Sequence, residues 1–435
     1  MPTVPGFDVA ALETAVEKHV GHGNVKSLTK LSEGGFNRVL LATMEDGFRA
    51  VVKISYKISV PKTYATASEV ATLTFLRSKD IPVPVVYGWS STNENSVGVE
   101  YIIMEHALGV GADTCWFDTT KYQKKALVTG IVDIEKKLFD IPFASIGSLY
   151  FKRDLPPHLQ GQLYQPGTPD GDEDSETCIG PIADYMFWYG QRANLELDRG
   201  PYLYPSNVFV CPNTFNPTCI IDWQHTVVTP LFLAAGYPRL FENPDPEPPT
   251  GLVAPKYLDN YNTLSPEEKA QVDELIRRQS LFYLYRVFNG GLNKVHLQAL
   301  QGPLVLSRQH LVDFAGRQWS GNLMTLRGAL MRMRDIWLHV PGNDGSMECP
   351  IAFSGEEMEE QTKNEPMWYN LNRLVSHWRD VLGGVSEEGW VRTEQYDYAV
   401  KRNEALRAEF SEGGSADELE KNKRGWPFQD HEEIF

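Results

Sequence analysis

The chain has 435 residues, enough for two or three domains or one large two-lobed enzyme. Its 41 Lys and Arg against 57 Asp and Glu leave a net charge of −16, which argues against a nucleic-acid partner and against an anionic membrane surface. No run of about 18 apolar residues occurs, so no transmembrane helix is predicted.

The opening stretch to Asn24 carries Asp8, Glu13 and Glu17 and no Arg. A mitochondrial presequence is rich in Arg and poor in acids, so this start predicts a cytoplasmic protein. Val9, Leu12, Val16 and Val20 fall at helical spacing and predict a helix over 7–20. Gly34 and Gly35 follow, flanked by apolar runs. They predict a hairpin turn whose backbone can lie close to a phosphate, because glycine has no Cβ. A Gly-Gly pair alone suits any plain turn equally well.

The next predicted strand, 48–56, holds Lys53 between Val52 and Ile54. A lysine inside an apolar strand either reaches out to water or has a partner. The predicted helix 66–77 offers Glu69 as that partner. Thr66 and Glu69 also have capping-box spacing, in which the glutamate would serve only a backbone donor. Lys53 has no other partner nearby in sequence, which favours the pair. Ile81 to Trp89, with Pro82 and Pro84, is extended, and 98–106 reads as a buried strand leaving into a loop. Met104 and the backbone from Glu105 to Ala107 stand where a nucleotide base would need an apolar slot and free backbone groups. A first lobe therefore covers 1–107.

Residues 119–140 predict a helix, with Ala126, Ile131, Ile134 and Leu138 on one side. The charge- and turn-rich stretch 158–177 predicts an exposed, mobile loop. Within 199–225, Val208 to Val210 and Cys219 to Ile221 are short apolar runs joined by a polar turn, a predicted hairpin. It brings Asn207 and Asp222 to the same end of the ladder. Two hard oxygen ligands side by side suit Mg²⁺, which binds through one or two protein groups and substrate phosphates. A turn asparagine and a capping aspartate in an ordinary hairpin would look the same. Ser265, Pro266 and Glu268 mark a helix start with a capping box, and that helix is predicted to run to about Asn289. The region 305–410 is mainly helical and amphipathic, closing a C-terminal lobe over 108–410. Residues 411–435 form a polar tail ending in the aromatic Trp426–Phe428. The five cysteines, Cys115, Cys178, Cys211, Cys219 and Cys349, are odd in number and lack Cys-x-x-Cys spacing, which predicts free thiols in a reducing compartment.

In order along the chain stand the segments 33–39, Val52-Lys53, 65–69, 101–105, 147–150, 220–224 and 230–233, then Trp390 and 426–430. This set resembles the fungal proteins of the altered-inheritance-of-mitochondria group, with their aminoglycoside-phosphotransferase and choline-kinase-like domain. The resemblance spans nearly the whole chain. It implies an α+β, bilobal protein-kinase-like fold, with a small β-rich N-lobe and a larger helical C-lobe. It implies ATP between the lobes, held by Gly34, Gly35, Lys53, Glu69, Met104 and Glu105, with Mg²⁺ at Asn207 and Asp222. An unknown small-molecule phosphate acceptor is implied as well. The family name points to mitochondria, the alternative to the cytoplasmic expectation.

One departure stands out. The family's catalytic loop places an Asp five residues before the metal-binding Asn. Here that position is Tyr202, and the family's His position is Gly200. Asp198 is out of register. A segment like Asp198–Pro201 lies well upstream of the catalytic loop in the family, so the resemblance leads one to expect an internal deletion of several tens of residues and the absence of the family's N-terminal extension. Tyr202 and Tyr204, with ordinary pKa near 10, are poor replacements for a carboxylate base. Three readings stay open: a phosphotransferase with reduced turnover, a non-catalytic pseudokinase that binds nucleotide or a protein partner, and a helical scaffold in which these residues are structural.

Overall fold

The computed structural model describes all residues outside 1–5, 58, 113–118, 166, 169–174, 186–187, 189–207, 212, 215, 246–248, 250, 318–322, 341, 386–390, 392–394, 412–424 and 429–435. The chain divides into two compact units, 1–305 and 306–435. The predicted C-terminal lobe, 108–410, thus spans parts of both.

The first unit opens with α1 (Val9–Val20). Asp8 caps it, accepting from the Ala11 amide at 2.9 Å, and Gly21 ends it in the left-handed region that glycine adopts without strain. Leu12 and Val16, one helical turn apart, are fully buried. They pack on a five-stranded antiparallel sheet made of β1 (Val25–Glu33), β2 (Asn37–Met44), β3 (Arg49–Ser55), β4 (Val86–Ser90) and β5 (Tyr101–Glu105), in the order β1-β2-β3-β5-β4. Alternation along β3 sends Ala50, Val52 and Ile54 into the core under α1. Lys53 points to the opposite face. There the register aligns it with Val39 and Ile102, two residues along from Leu41, Val51 and Met104.

Helix α2 (Tyr64–Ser78) covers that second face, with Val70 and Ala71 against Ile102. It starts two residues before the predicted Thr66. The capping box is not formed: Thr66 Oγ1 donates instead to the buried Glu100 carboxylate at 2.7 Å. Glu69 is free to point elsewhere.

Beyond β5 the chain forms β6 (Val110–Gly111), then α3 (Lys121–Phe139), started by a capping box of Thr120 and Gln123. Next come β7 (Ser148–Phe151) and β8 (Thr177–Gly180), an antiparallel pair. Within the predicted mobile loop, Leu163 and Tyr164 are buried against Phe75 and Ile179. The charge-rich composition of that stretch hides two core residues.

The predicted hairpin forms as β9 (Val208–Val210) and β10 (Pro217–Ile220), with β6 as a third strand beside β9. Cys219 faces Phe209 across the ladder, so it does not face Cys211. The short α4 (Leu231–Ala234) leads to the long α5 (Pro266–Leu292), opened by the predicted Ser265–Glu268 capping box, and to α6 (Lys294–Leu300). Leu127, Val128, Ile131 and Val132 of α3 pack against Leu281 and Tyr285 of α5. The first unit is thus a β-rich lobe followed by a mainly helical part, an α+β arrangement.

The second unit contains α7 (Val305–Arg317), α8 (Met324–Asp335), α9 (Gly355–Val381) and α10 (Tyr396–Ser411). Trp426 anchors its end: it is 1% exposed, packs on Leu382 and Leu406, and donates to Asn403 Oδ1 at 2.8 Å. Among the described residues no helix is long and apolar enough to cross a membrane.

Candidate functional site

Lys53, Glu69 and Asp222 meet. Lys53 Nζ lies 2.8 and 2.9 Å from the two Glu69 oxygens and 3.2 Å from Asp222 Oδ1. All three ammonium protons therefore have acceptors. The strand supplies Lys53, the helix packed on its face supplies Glu69, and the end of the β9–β10 hairpin supplies Asp222. Lys53 and Glu69 are buried, whereas the Asp222 side chain is 52% exposed. Burial pulls the Lys53 ammonium down, but the two carboxylates more than offset it and hold its pKa above the ordinary value. Burial also lifts Glu69, Lys53 opposes this, and the nearby Asp222 adds to the rise. Two carboxyl groups thus share one ammonium.

Asp222 is in the left-handed backbone region, φ 60°, and so is His225, φ 63°. Such torsions are uncommon for residues other than glycine and persist where the surroundings over-determine them. Trp223 contributes to that hold: it is 2% exposed and donates from its indole to the Ile220 carbonyl at 2.9 Å. His225 Nδ1 lies 2.6 Å from the Ala183 carbonyl oxygen, which requires the proton on Nδ1. Nε2 is then an acceptor, buried and without a partner among the described residues. Burial pushes the His225 pKa down to about 4, so the ring is neutral at pH 7.

The glycine turn lies against the same loop. Gly34 N donates to the Asn37 carbonyl at 2.9 Å and closes the turn. The Phe36 ring stands edge-on to Tyr185 at 4.7 Å and 6.0 Å from His225. Asn37 Nδ2 donates to Gln224 Oε1 at 2.7 Å. Phe36, Asn37, Gln224 and His225 were not singled out from the sequence. The available signal was a carboxamide and an imidazole directly after the Ile220–Trp223 segment.

Met104 lies on the Lys53 face of the sheet, one step nearer the lobe junction. The Glu105 side chain turns back: its carboxylate accepts from Val85 N at 3.1 Å and lies 3.6 Å from Arg77 Nη1, and its own amide donates to the Val85 carbonyl. Asn207, the second expected metal ligand, lies outside the described residues, as do Gly200, Tyr202 and Tyr204. Asn207 directly precedes Val208, which pairs with Ile220 two residues before Asp222. Among the described residues no group of three or more His, Cys, Asp or Glu is arranged to hold a metal.

No protein-family model matches the chain. Two aminoglycoside phosphotransferase structures, the streptomycin–ATP ternary complex of APH(2")-IIa and ADP-bound APH(2'')-Ib, align with 31% and 32% of this chain and 41% of each of theirs, at 19% and 17% identity and a TM-score of 0.24. The chain is similar to a subtelomeric hrmA-associated cluster protein of Aspergillus fumigatus, 27% identical across 93% of this chain and 97% of that protein. That alignment spans 510 positions, whereas 93% of 435 residues is about 405, so the relative alone fills about 105 positions. It is also similar to altered inheritance of mitochondria protein 9, mitochondrial, of Yarrowia lipolytica, 29% identical across 84% of this chain and 76% of that protein. The protein of the same name in Debaryomyces hansenii is 30% identical across 88% of this chain and 77% of its own length, and with that the chain belongs to the family of altered inheritance of mitochondria protein 9.

Proposed function

We propose that the chain binds Mg-ATP beside Lys53 and Asp222 and acts as a phosphotransferase on a small molecule, with turnover reduced by the altered catalytic loop. One observation carries this: Lys53 Nζ sits 2.8 Å from Glu69 and 3.2 Å from an Asp 169 positions away, on a half-exposed carboxylate. A purely structural ion pair needs no third, solvent-facing carboxylate. In this reading Glu69 holds Lys53 against the α- and β-phosphates, and Asp222 with Asn207 holds the metal. Bound there, Mg²⁺ would offset phosphate charge that the acidic triad alone repels. The backbone at Gly34 and Gly35 covers the phosphates. A Cβ at Gly34 would meet nothing within 4 Å, so the backbone of the turn is open to a ligand there. Val39, Val51 and Met104 offer the base an apolar wall, with the Glu105–Ala107 segment at its edge.

The second reading is a pseudokinase that keeps the nucleotide and has lost the chemistry. It is favoured by Tyr202 at the expected base position and by the hundred or so residues that relatives carry within the aligned span. General-base assistance contributes about 10²–10⁴-fold, while most of phosphoryl transfer is positioning and charge stabilisation, so its loss slows turnover without abolishing it. The Yarrowia and Debaryomyces relatives carry a mitochondrial name and the Aspergillus one does not; a mitochondrial location stands beside the cytoplasmic one for this chain, and fractionation of cells expressing a tagged chain separates the two.

Mg-ATP at a hundredfold excess over Kd should stabilise the protein by about 2.7 kcal/mol, read as a rise in melting temperature. Asp222→Ala should remove that rise. No shift with saturating Mg-ATP overturns both readings. ATP consumption that Asp222→Ala abolishes selects the enzyme; a shift without consumption selects the pseudokinase.

A further inference from the structure

Gln224 connects three elements that would surround a triphosphate. Its Oε1 accepts from Asn37 Nδ2 at 2.7 Å, 187 positions away, at the end of the glycine turn. Its Nε2 donates to Ser59 Oγ at 2.9 Å, 165 positions away, in the link from β3 to the helix bearing Glu69. Its backbone is two residues from Asp222. Ser59 is 2% exposed and its amide donates to the Tyr56 carbonyl. The Tyr56 amide in turn donates to the Phe36 carbonyl at 2.8 Å. The stem of the turn is rigid: Glu33 accepts from Arg38 Nε at 3.1 Å and is also bonded by Tyr56 and Lys30. The turn is therefore anchored at its base, and its far side is tied to the opposite wall by one carboxamide.

We propose that Gln224 is a positioning residue that clasps the glycine turn to the Asp222 loop and so sets how long a nucleotide stays bound. This rests on the nucleotide reading above and goes beyond it by naming the residue that joins the two walls. The residue type fits the task. A carboxamide offers one acceptor and donors on the same side chain, and Gln224 uses both kinds at once. A carboxylate would keep the Asn37 bond and meet Ser59 only as an acceptor, reversing that bond. An aliphatic side chain of the same length would lose both. Phe36 packs beside the clasp, so opening the link also lifts its ring from Tyr185 and His225. Nucleotide that lies under the turn leaves only when the clasp opens, and each broken bond makes opening easier.

The test is release of a fluorescent ATP analogue, loaded with Mg²⁺ on the full chain and chased with unlabelled ATP. Gln224→Leu should release it about tenfold faster, equivalent to about 1.4 kcal/mol. Asn37→Ala and Ser59→Ala should each speed release severalfold. The Gln224→Leu/Asn37→Ala double variant should release no faster than Gln224→Leu alone, because one bond cannot be broken twice. A merely structural role would lower the melting temperature of the nucleotide-free variants and leave release rates unchanged. Release within twofold of the wild type in all variants overturns the proposal while leaving the site reading intact. Failure of the wild type to bind the analogue overturns the site reading and the clasp with it. If Gln224→Leu does not fold, the Asn37 and Ser59 variants carry the same comparison.

Discussion

Glu69 and Glu135 are both helix carboxyls held away from bulk water, Glu69 buried on the Lys53 face of the sheet and Glu135, 16% exposed, between α3, α5 and α6. Glu69 faces an ammonium at 2.8 Å and shares it with Asp222. Glu135 accepts from Tyr285 OH at 2.8 Å and stands 3.7 Å from His296 Nδ1, and no Lys or Arg pairs with it among the described residues. Burial pushes Glu135 up to about 8 and pushes His296 down to about 4, so at pH 7 this contact is between a neutral acid and a neutral imidazole. His296 Nδ1 donates instead to Asn289 Oδ1 at 3.0 Å. The same side chain faces a cation at Glu69 and a neutral imidazole at Glu135. What sets Glu69 apart from Glu135 is its counter-charge and the exposed carboxylate of Asp222 beside it.

The comparison breaks most sharply if the cation is removed. Lys53→Met leaves Glu69 buried without its partner, and removing one member of a buried pair typically costs about 3–5 kcal/mol. Glu69 should then behave as Glu135 does and take up a proton. The expected result is a large loss of denaturant stability at pH 7 that shrinks at pH 5. Lys53→Met/Glu69→Gln should recover much of it at both pH values. A loss equal at both would mean that Glu69 stays charged without Lys53.

Next in size is the acid limb of stability. His296 is 1% exposed with its pKa lowered from 6.5 to about 4, and His225 is lowered to a similar value. For a depressed pKa the stabilisation is complete above about 6.5 and is lost as pH falls through the folded value near 4. Each such shift is worth roughly 3 kcal/mol. Unfolding free energy measured from pH 7 to 4 should fall steeply, and His296→Gln should flatten part of that fall. A flat profile in the wild type would place protons on these rings in the folded state.

What could be read in the sequence follows from how each group advertises itself. Lys53 interrupts a β-branched strand, and Asp222 ends an apolar run, so both are locally anomalous. Glu69 was ambiguous between a cap and an ion pair, and only the structure shows Thr66 bonded to Glu100 instead. Glu135 gives no such signal. It lies on a helix whose periodicity was legible, beside Ile131, Ile134 and Leu138, and looks like one more surface acid. Its partners are 150 positions or more away: Tyr285 on a predicted helix whose packing against α3 was not foreseen, and His296 on α6, which was not predicted. The clasp is hidden for the same reason: a glutamine in a loop carries no local trace of an asparagine 187 positions earlier. Composition misleads over 158–177, where many charges mask Leu163 and Tyr164. The two-residue strand β6 is too short for any pattern to show.

The smallest expected effect is also the most discriminating. If Glu135 is already a neutral acid at pH 7, Glu135→Gln replaces one uncharged acceptor of the Tyr285 hydroxyl with another. Measured near pH 4, where Glu135 is neutral both folded and unfolded, the change in stability should stay within about 1 kcal/mol, the net worth of a single neutral hydrogen bond. The pH profile should nevertheless change shape. A raised folded pKa gives stability that is full below the unfolded value near 4.5 and fades as pH rises through about 8. Combined with the histidine limb, the wild type should peak near pH 6.5 and decline toward pH 9. Glu135→Gln should remove that decline and leave a plateau. The equivalent change at Glu69 should behave differently, because Glu69→Gln strips Lys53 of a charged acceptor and lowers stability at pH 7 outright. Should both glutamine variants cost the same at pH 7, the two carboxyls would share one protonation state, and the contrast between a cation-held and a neutral carboxyl would not hold.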